Sequence, residues 1–126
     1  MTVAAPFIAP VVTGAGRGRR IGTPTLNLDL SAVPANMPDG IYACRAQLDG
    51  TGNPLLAVLH LGPRPVFQDD RSCEVHLLDK VPPETTTSVA VSDLAYLRAV
   101  ENFTSKEELI AQIGRDIAQA RAILGM

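Results

Sequence analysis

Helical periodicity is confined to the C-terminal end of this sequence, which restricts the possible folds more than any other feature. Apolar residues recur there at helical spacing, at Leu109, Ile113, Ile117, Ala120 and Leu124. A capping box, with Ser105 at the N-cap and Glu108 at N3, precedes this segment, and Gly125 follows it. The sequence therefore predicts a single C-terminal helix, preceded by a long region of another type.

That long region has the patterns of β-strands. Polar and apolar residues alternate with period two over Thr25–Leu30, where the three leucines are predicted to face the core. They alternate again over Ser72–Leu78, where Cys73, Val75 and Leu77 face one way and Glu74 and His76 the other. The other predicted strands are Phe7–Thr13, Gly40–Leu48, Leu55–Leu61 and Ser88–Leu94.

The order of these elements predicts a mainly β fold. Five or six strands joined by hairpin-like turns and followed by one helix indicate an antiparallel barrel or sandwich. The absence of predicted helices between the strands argues against a Rossmann or P-loop sheet. A length of 126 residues fits one domain, 1–126, with a core that needs neither disulfide nor metal.

Composition excludes several classes of partner. The net charge of -2 gives no basic excess, and there are only two Tyr, three Phe and no Trp, so a nucleic-acid partner is not expected. No apolar run reaches membrane-spanning length and no signal peptide is recognisable. Cys44 and Cys73 lie in apolar strands and are interpreted as buried reduced thiols, which favours a cytoplasmic location.

A glycine- and arginine-rich stretch is the first candidate functional feature. Residues 14–22 contain four glycines and three arginines, and Pro24, Thr25 and Asn27 follow. Glycines allow backbone amides to turn inward, and such a nest beside cationic side chains suits a polyphosphate. Thr25 and Asn27 share one strand face, about 7 Å apart, and carry the hard oxygens that magnesium accepts. The alternative is a glycine-rich hairpin with solvated arginines.

Acid–base chemistry has one main candidate. Glu74 projects from a strand on the face opposite Cys73, where a rigidly held carboxylate can act as a general base for a hydroxyl group. The alternative is a solvated charge on an outer face. His60 and His76 lack metal-ligand spacing, and a core or strand-end role is favoured for His60.

Taken together, four segments of the chain resemble the riboflavin kinase family, including the C-terminal kinase domain of bacterial bifunctional riboflavin kinase/FAD synthetases. They occur in the family's order and span almost the whole chain. The segments are residues 14–28 (GAGRGRRIGTPTLNL), 38–43 (PDGIYA), 61–67 (LGPRPVF) with 73–79 (CEVHLLD), and 97–105 (LRAVENFTS).

The resemblance implies a fold and an activity. The fold is a six-stranded Greek-key antiparallel barrel with a long C-terminal helix packed on it. The activity is transfer of the γ-phosphate of ATP to the ribityl 5′-hydroxyl of riboflavin, giving FMN and ADP, with Mg²⁺ as cofactor. The implied partners are therefore riboflavin or FMN and ATP or ADP.

The resemblance also implies roles for individual residues. Glu74 matches the catalytic base, and Thr25 and Asn27 match the residues that hold magnesium. The implied nucleotide-binding residues are Gly14, Gly16, Arg17, Gly18, Arg19, Arg20, Gly22, Pro24, Thr25, Asn27 and His76. The implied flavin-binding residues are Arg98, Glu101 and Phe103.

The sequence departs from the family pattern at three places. Lys80–Thr87 lacks the aromatic-glycine pair usual after the catalytic strand, Val66 stands where Thr is common, and Thr23 stands where an apolar residue is usual. The change in Lys80–Thr87 is expected to affect flavin affinity or loop closure more than nucleotide binding. It also leaves open a non-catalytic flavin- or nucleotide-binding module, while a generic barrel interaction module would leave the glycine-arginine stretch without a role. We expect a monomer that makes FMN but not FAD.

Overall fold

The computed structural model describes residues 5–12, 25–63, 71–101 and 105–125. The strands in these ranges are β1 (Phe7–Val12), β2 (Leu26–Leu28), β3 (Gly40–Leu48), β4 (Leu55–Pro63), β5 (Arg71–Leu77) and β6 (Ser88–Arg98). A 3₁₀ turn, Leu30–Ala32, follows β2. Helix α1 (Lys106–Ala120) continues into a π-helical turn, Arg121–Gly125.

The described strands close into a barrel in the order β1-β2-β5-β4-β3-β6, and every neighbouring pair is antiparallel. β3, β4 and β5 are consecutive neighbours, and β6 returns to lie beside β3, which is the Greek-key arrangement. The predicted mainly β barrel with a C-terminal helix is therefore confirmed.

The barrel interior is apolar. Residues that alternate along each strand meet there, and the largest fully buried side chains include Tyr42, Leu59, Leu61, Leu94 and Val75. Burial of this apolar surface is the main favourable term in folding such a domain. Cys44 and Cys73 are buried free thiols, as predicted.

Helix α1 packs on the outside of the barrel. Ala120 of the helix is buried against Ala43 and Ala95, in a second small cluster that also includes Val58 and Leu124. The helix begins as predicted, with the Ser105 side chain accepting a hydrogen bond from the backbone N–H of Glu108. The outer barrel face therefore has an apolar part, which the helix covers.

Two strands, β2 and β6, differ from their predicted bounds by three or more residues. β2 is shorter than Thr25–Leu30, because the Asp29 side chain accepts a hydrogen bond from the Ser31 N–H and caps the 3₁₀ turn. Leu30, predicted to face the core, is consequently exposed. β6 extends past Leu94 to Arg98, with register shifts along its pairing with β3. Asp93 lies at one of these register shifts and adopts a positive φ of 54°.

The segment 80–87, where the sequence departs from the family pattern, is fixed to the turn between β3 and β4. The Asp49 carboxylate accepts hydrogen bonds from the Thr87 N–H, the Thr87 hydroxyl and the Ser88 N–H, at 2.8–3.0 Å. These bonds hold the pKa of Asp49 below its usual value. They also place Thr87 at the opposite end of β6 from Arg98.

In the part of the chain described, no helix is long and apolar enough to cross a membrane.

Candidate active site

The strand registers place five residues in one line across the outer barrel face. Asn27 of β2 lies opposite Glu74 of β5, and Glu74 lies opposite His60 of β4. His60 lies opposite Ile41 of β3, which in turn lies opposite Arg98 of β6. We refer to these residues as the cross-strand row. The register thus brings together three residues that the sequence implicated separately, Asn27, Glu74 and Arg98.

Hydroxyl groups approach both carboxylate oxygens of Glu74. The Ser72 hydroxyl donates a hydrogen bond to Oε2 at 2.8 Å, and the Thr25 hydroxyl approaches Oε1 at 3.4 Å. Ser72 is buried, and Thr25 and Glu74 are half-buried. Such bonds orient a carboxylate and leave it lone pairs with which to accept a further proton. The carboxylate is thus held in a defined orientation on a strand.

The two residues predicted to hold magnesium lie beside Glu74. Thr25 contacts Glu74 directly, and Asn27 is its cross-strand neighbour. The described residues contain no cluster of three or more His, Cys, Asp or Glu side chains able to hold a metal ion. A hydroxyl and an amide oxygen beside one carboxylate still fit Mg²⁺, which usually takes few protein ligands and completes its shell with phosphate and water.

Arg98 is fixed by a buried carboxylate of helix α1. Its Nε and Nη2 donate to the two oxygens of Asp116 at 2.9 and 2.7 Å. The side chains of Arg98 and Asp116 are 19% and 4% exposed, and Gln112 donates a further bond to Asp116 at 3.0 Å. Glu101 lies 3.6 Å from the Arg98 guanidinium. A bidentate pair of this kind fixes both the position and the plane of the guanidinium.

Asp116 was missed at the level of sequence, although a signal was present. It falls between Ile113 and Ile117 on the apolar stripe of the helix, where an acidic side chain must be buried. A buried carboxylate is rarely tolerated without a cationic partner. The pattern therefore indicated a partner for Asp116, without identifying it as Arg98.

His60 is half-buried and lies three residues before the end of β4. Its Nε2 lies 2.9 Å from the Pro63 carbonyl oxygen, near the end of β4. Burial lowers the pKa of His60, an effect that the Glu74 carboxylate opposes. Its other ring nitrogen, Nδ1, is buried and has no hydrogen-bond partner among the described residues.

The other predicted site residues divide into two groups. His76 is half-buried, two residues after Glu74 on β5 and opposite Val58 on β4. The structure therefore places it on the same face as Glu74. The remaining predictions lie outside the described residues: Gly14, Gly16, Arg17, Gly18, Arg19, Arg20, Gly22 and Pro24 for nucleotide, and Phe103 for flavin.

Comparison with known proteins gives one consistent family. The family model for riboflavin kinase (flavokinase) matches residues 4–124. Riboflavin kinase of Mus musculus is 33% identical over 122 residues, covering 92% of this chain and 78% of the relative. Riboflavin kinase of Homo sapiens is 33% identical over 117 residues, covering 88% of this chain and 75% of the relative.

Longer proteins match over part of their length. The bifunctional riboflavin kinase/FMN adenylyltransferase of Escherichia coli K12 is 36% identical over 118 residues, which are 92% of this chain and 37% of that protein. A crystal structure described as a macrolide-efflux protein from Streptococcus pneumoniae superposes with a TM-score of 0.75 at 30% identity. The superposition covers 92% of this chain and 38% of the other.

Proposed function

Since this chain belongs to the riboflavin kinase family, we propose that it transfers the γ-phosphate of ATP to the ribityl 5′-hydroxyl of riboflavin, giving FMN and ADP. The observation that carries the proposal is the position of Glu74. Its carboxylate is oriented by Ser72 and Thr25 and lies beside Asn27 in the cross-strand row.

Glu74 is the general base in this proposal. As the 5′-oxygen forms its bond to the γ-phosphorus, the hydroxyl proton moves to Glu74, and the bond between that phosphorus and the β–γ bridging oxygen breaks. Phosphoryl transfer needs mainly alignment and charge neutralisation, so a base held by two hydroxyls serves chiefly to position the nucleophile. Support comes from the hydrogen bonds of Glu74 with the Ser72 and Thr25 hydroxyls.

Thr25 and Asn27 are proposed to hold Mg²⁺ together with the ATP phosphates. When bound, the ion would neutralise charge on the phosphate oxygens. The support is the position of both residues beside Glu74, Thr25 through its hydroxyl contact and Asn27 through strand pairing. Contacts of the glycine-arginine stretch and His76 with the nucleotide remain predictions from the sequence.

Arg98 is proposed to contact the flavin, with Glu101 and Phe103 in the same segment. Its guanidinium is already oriented by Asp116, so a contact with the flavin would cost little side-chain freedom on binding. It lies at the other end of the cross-strand row from Asn27, so the flavin and the magnesium ion would bind at different ends of that row.

The direct test is incubation of the purified chain with riboflavin, ATP and Mg²⁺, followed by chromatography that resolves FMN from FAD. We expect FMN to form with the wild type and to be greatly reduced with Glu74→Gln. If neither protein makes FMN but riboflavin or ATP still binds, the chain is a binding module on a kinase fold. Any FAD peak would contradict the expectation of FMN alone. Sedimentation of the same sample tests the predicted monomer.

A further inference from the structure

Ser72 and Glu74 form a hydrogen-bonded pair along β5. Residues two apart on a strand point to the same side of the sheet, so the two side chains are neighbours. The Ser72 hydroxyl donates to Glu74 Oε2 at 2.8 Å, a normal length for a bond between two oxygens. The Thr25 hydroxyl approaches Oε1 at 3.4 Å, which is longer than normal. Ser72 is therefore the closer of the two hydroxyl groups that orient the carboxylate.

The fold alone does not require a hydroxyl group at position 72. Ser72 is only 4% exposed, and burial of a hydroxyl group is unfavourable unless the group is hydrogen-bonded. An alanine would occupy almost the same space without that requirement. The bond to Glu74 satisfies the buried hydroxyl and gives the serine a role that packing does not provide.

The backbone around Ser72 is fixed on both sides. Ser72 lies opposite Gly62 of β4, and a Cβ atom at Gly62 would lie 3.2 Å from the carboxyl carbon of Asp39. Asp39 in turn accepts a hydrogen bond from Arg71, the residue before Ser72. A serine has one heavy-atom side-chain torsion, whereas the longer Glu74 side chain has three and loses more freedom when it is ordered. The short, fixed side chain thus anchors the long one.

We propose that Ser72 is a positioning residue for the general base. Its hydroxyl holds Oε2 and keeps the Glu74 carboxylate in the orientation from which it accepts the proton of the 5′-hydroxyl. The proposal rests on the proposed riboflavin kinase function and adds to it a residue that acts only through Glu74. Without this bond Glu74 is still present, but a smaller fraction of the bound complexes is aligned for reaction.

The first test is Ser72→Ala. We expect kcat per folded molecule to fall roughly 10- to 100-fold, because small displacements of a reacting group are costly. The KM values for riboflavin and ATP should stay close to those of the wild type, since Ser72 is not proposed to contact either substrate. Steady-state FMN formation measures both parameters, and urea unfolding gives the folded fraction.

Ser31→Ala is the matched control. The Ser31 hydroxyl also donates to a carboxylate two residues away, that of Asp29, and at the same distance of 2.8 Å. Asp29 caps the 3₁₀ turn, and neither residue belongs to the proposed site. Ser31→Ala therefore removes a serine–carboxylate bond of the same length, and its kcat should remain close to that of the wild type.

A double-mutant cycle with Glu74→Gln separates positioning from a structural effect. If Ser72 acts through the carboxylate, Ser72→Ala should lower kcat little further once the base has been removed. The two effects should therefore be strongly non-additive, as expected for residues that share one interaction. Single-turnover reactions with excess enzyme measure the slow rates of these variants.

Several outcomes would overturn the role of Ser72. Among them are wild-type kcat in Ser72→Ala, a loss confined to KM, and an equal loss of kcat in Ser31→Ala. An equal fold-loss with and without the Glu74 carboxylate would show that the effect does not pass through the base. Failure of Ser72→Ala to fold would assign the serine a structural role instead. If the wild type itself makes no FMN, the proposed function fails, and with it the need to position a base.

Discussion

The two faces of β5 meet different surroundings, although their residues alternate along one short strand. Cys73, Val75 and Leu77 point into the barrel and are at most 3% exposed. Glu74 and His76 point outward, where Glu74 meets two hydroxyl groups and the neighbouring row residues. The inner face supplies apolar burial, which stabilises the fold, and the outer face supplies polar groups for chemistry. Because the strand is rigid, packing of its inner face fixes the geometry of the polar groups on its outer face.

This comparison predicts that stability and activity can be changed separately. Removal of an outward polar group should reduce turnover and leave the free energy of unfolding nearly unchanged. Removal of an inward apolar group should do the reverse. Substitution of a residue that joins the barrel to helix α1 should change both turnover and the free energy of unfolding.

The largest effect is expected for Glu74→Gln. The substitution keeps the size of the side chain but removes the base, so kcat should fall by roughly two to four orders of magnitude. Steady-state FMN formation measures the change, and urea unfolding provides the stability control. Near-normal turnover would remove Glu74 from the role of base and weaken the distinction between the two faces.

Leu59→Ala is the corresponding test of the inner face. Leu59 is completely buried, and a Leu→Ala change in a core typically lowers the free energy of unfolding by about 2–5 kcal/mol. We expect the urea midpoint to fall while kcat per folded molecule remains close to the wild type. A large loss of kcat in fully folded protein would show that the two faces are not separable.

Asp116→Ala should affect both properties at once. It leaves the Arg98 guanidinium, which is 19% exposed, without its carboxylate partner, and we expect about 2–3 kcal/mol of lost stability. Loss of the orienting pair should also raise KM for riboflavin.

Arg121→Ala is the matched control for that experiment, because it removes a second, exposed ion pair between the helix segment and the barrel, that of Arg121 with Asp79. Arg121 and Asp79 are 45% and 65% exposed, and surface pairs of this kind contribute little. In thermal unfolding, the Tm of Arg121→Ala should therefore be close to that of the wild type and well above that of Asp116→Ala. Equal Tm values for the two variants would contradict the importance of burial.

The smallest effect is expected for Asn27→Ala. Removing one oxygen ligand should raise the magnesium concentration for half-maximal activity by roughly fivefold to tenfold, with unfolding unchanged. Magnesium titration of FMN formation measures this value. An unchanged titration would exclude Asn27 as a ligand and leave it as a neighbour of Glu74 only.

The sequence was sufficient to predict the faces of β5 but not the site as a whole. Alternation with period two is a local property, so it placed Glu74 outside and Val75 inside. Strand register depends on pairing between distant segments. The pairing of Glu74 with His60, and the alignment of both with Arg98, therefore could not be derived from any one segment.

Two further features needed tertiary information. The end of β2 is determined by the Asp29 side chain, which competes with continued strand pairing by bonding to Ser31. The pairing of Arg98 with Asp116 depends on how α1 lies across the barrel. In both cases the residue types were informative, whereas their partners became visible only in the folded chain.

The burial of both cysteines makes the native chain a convenient background for site-specific labelling. Cys44 and Cys73 are the only cysteines in the sequence and are 0% and 1% exposed. Burial raises the pKa of both thiols, that of Cys73 to about 12, so the nucleophilic thiolate is scarce at neutral pH. A single cysteine introduced at an exposed position such as Ile110 should react with a maleimide dye far faster than either native thiol. Fluorescence from that dye could then report on ligand binding without prior removal of the native cysteines.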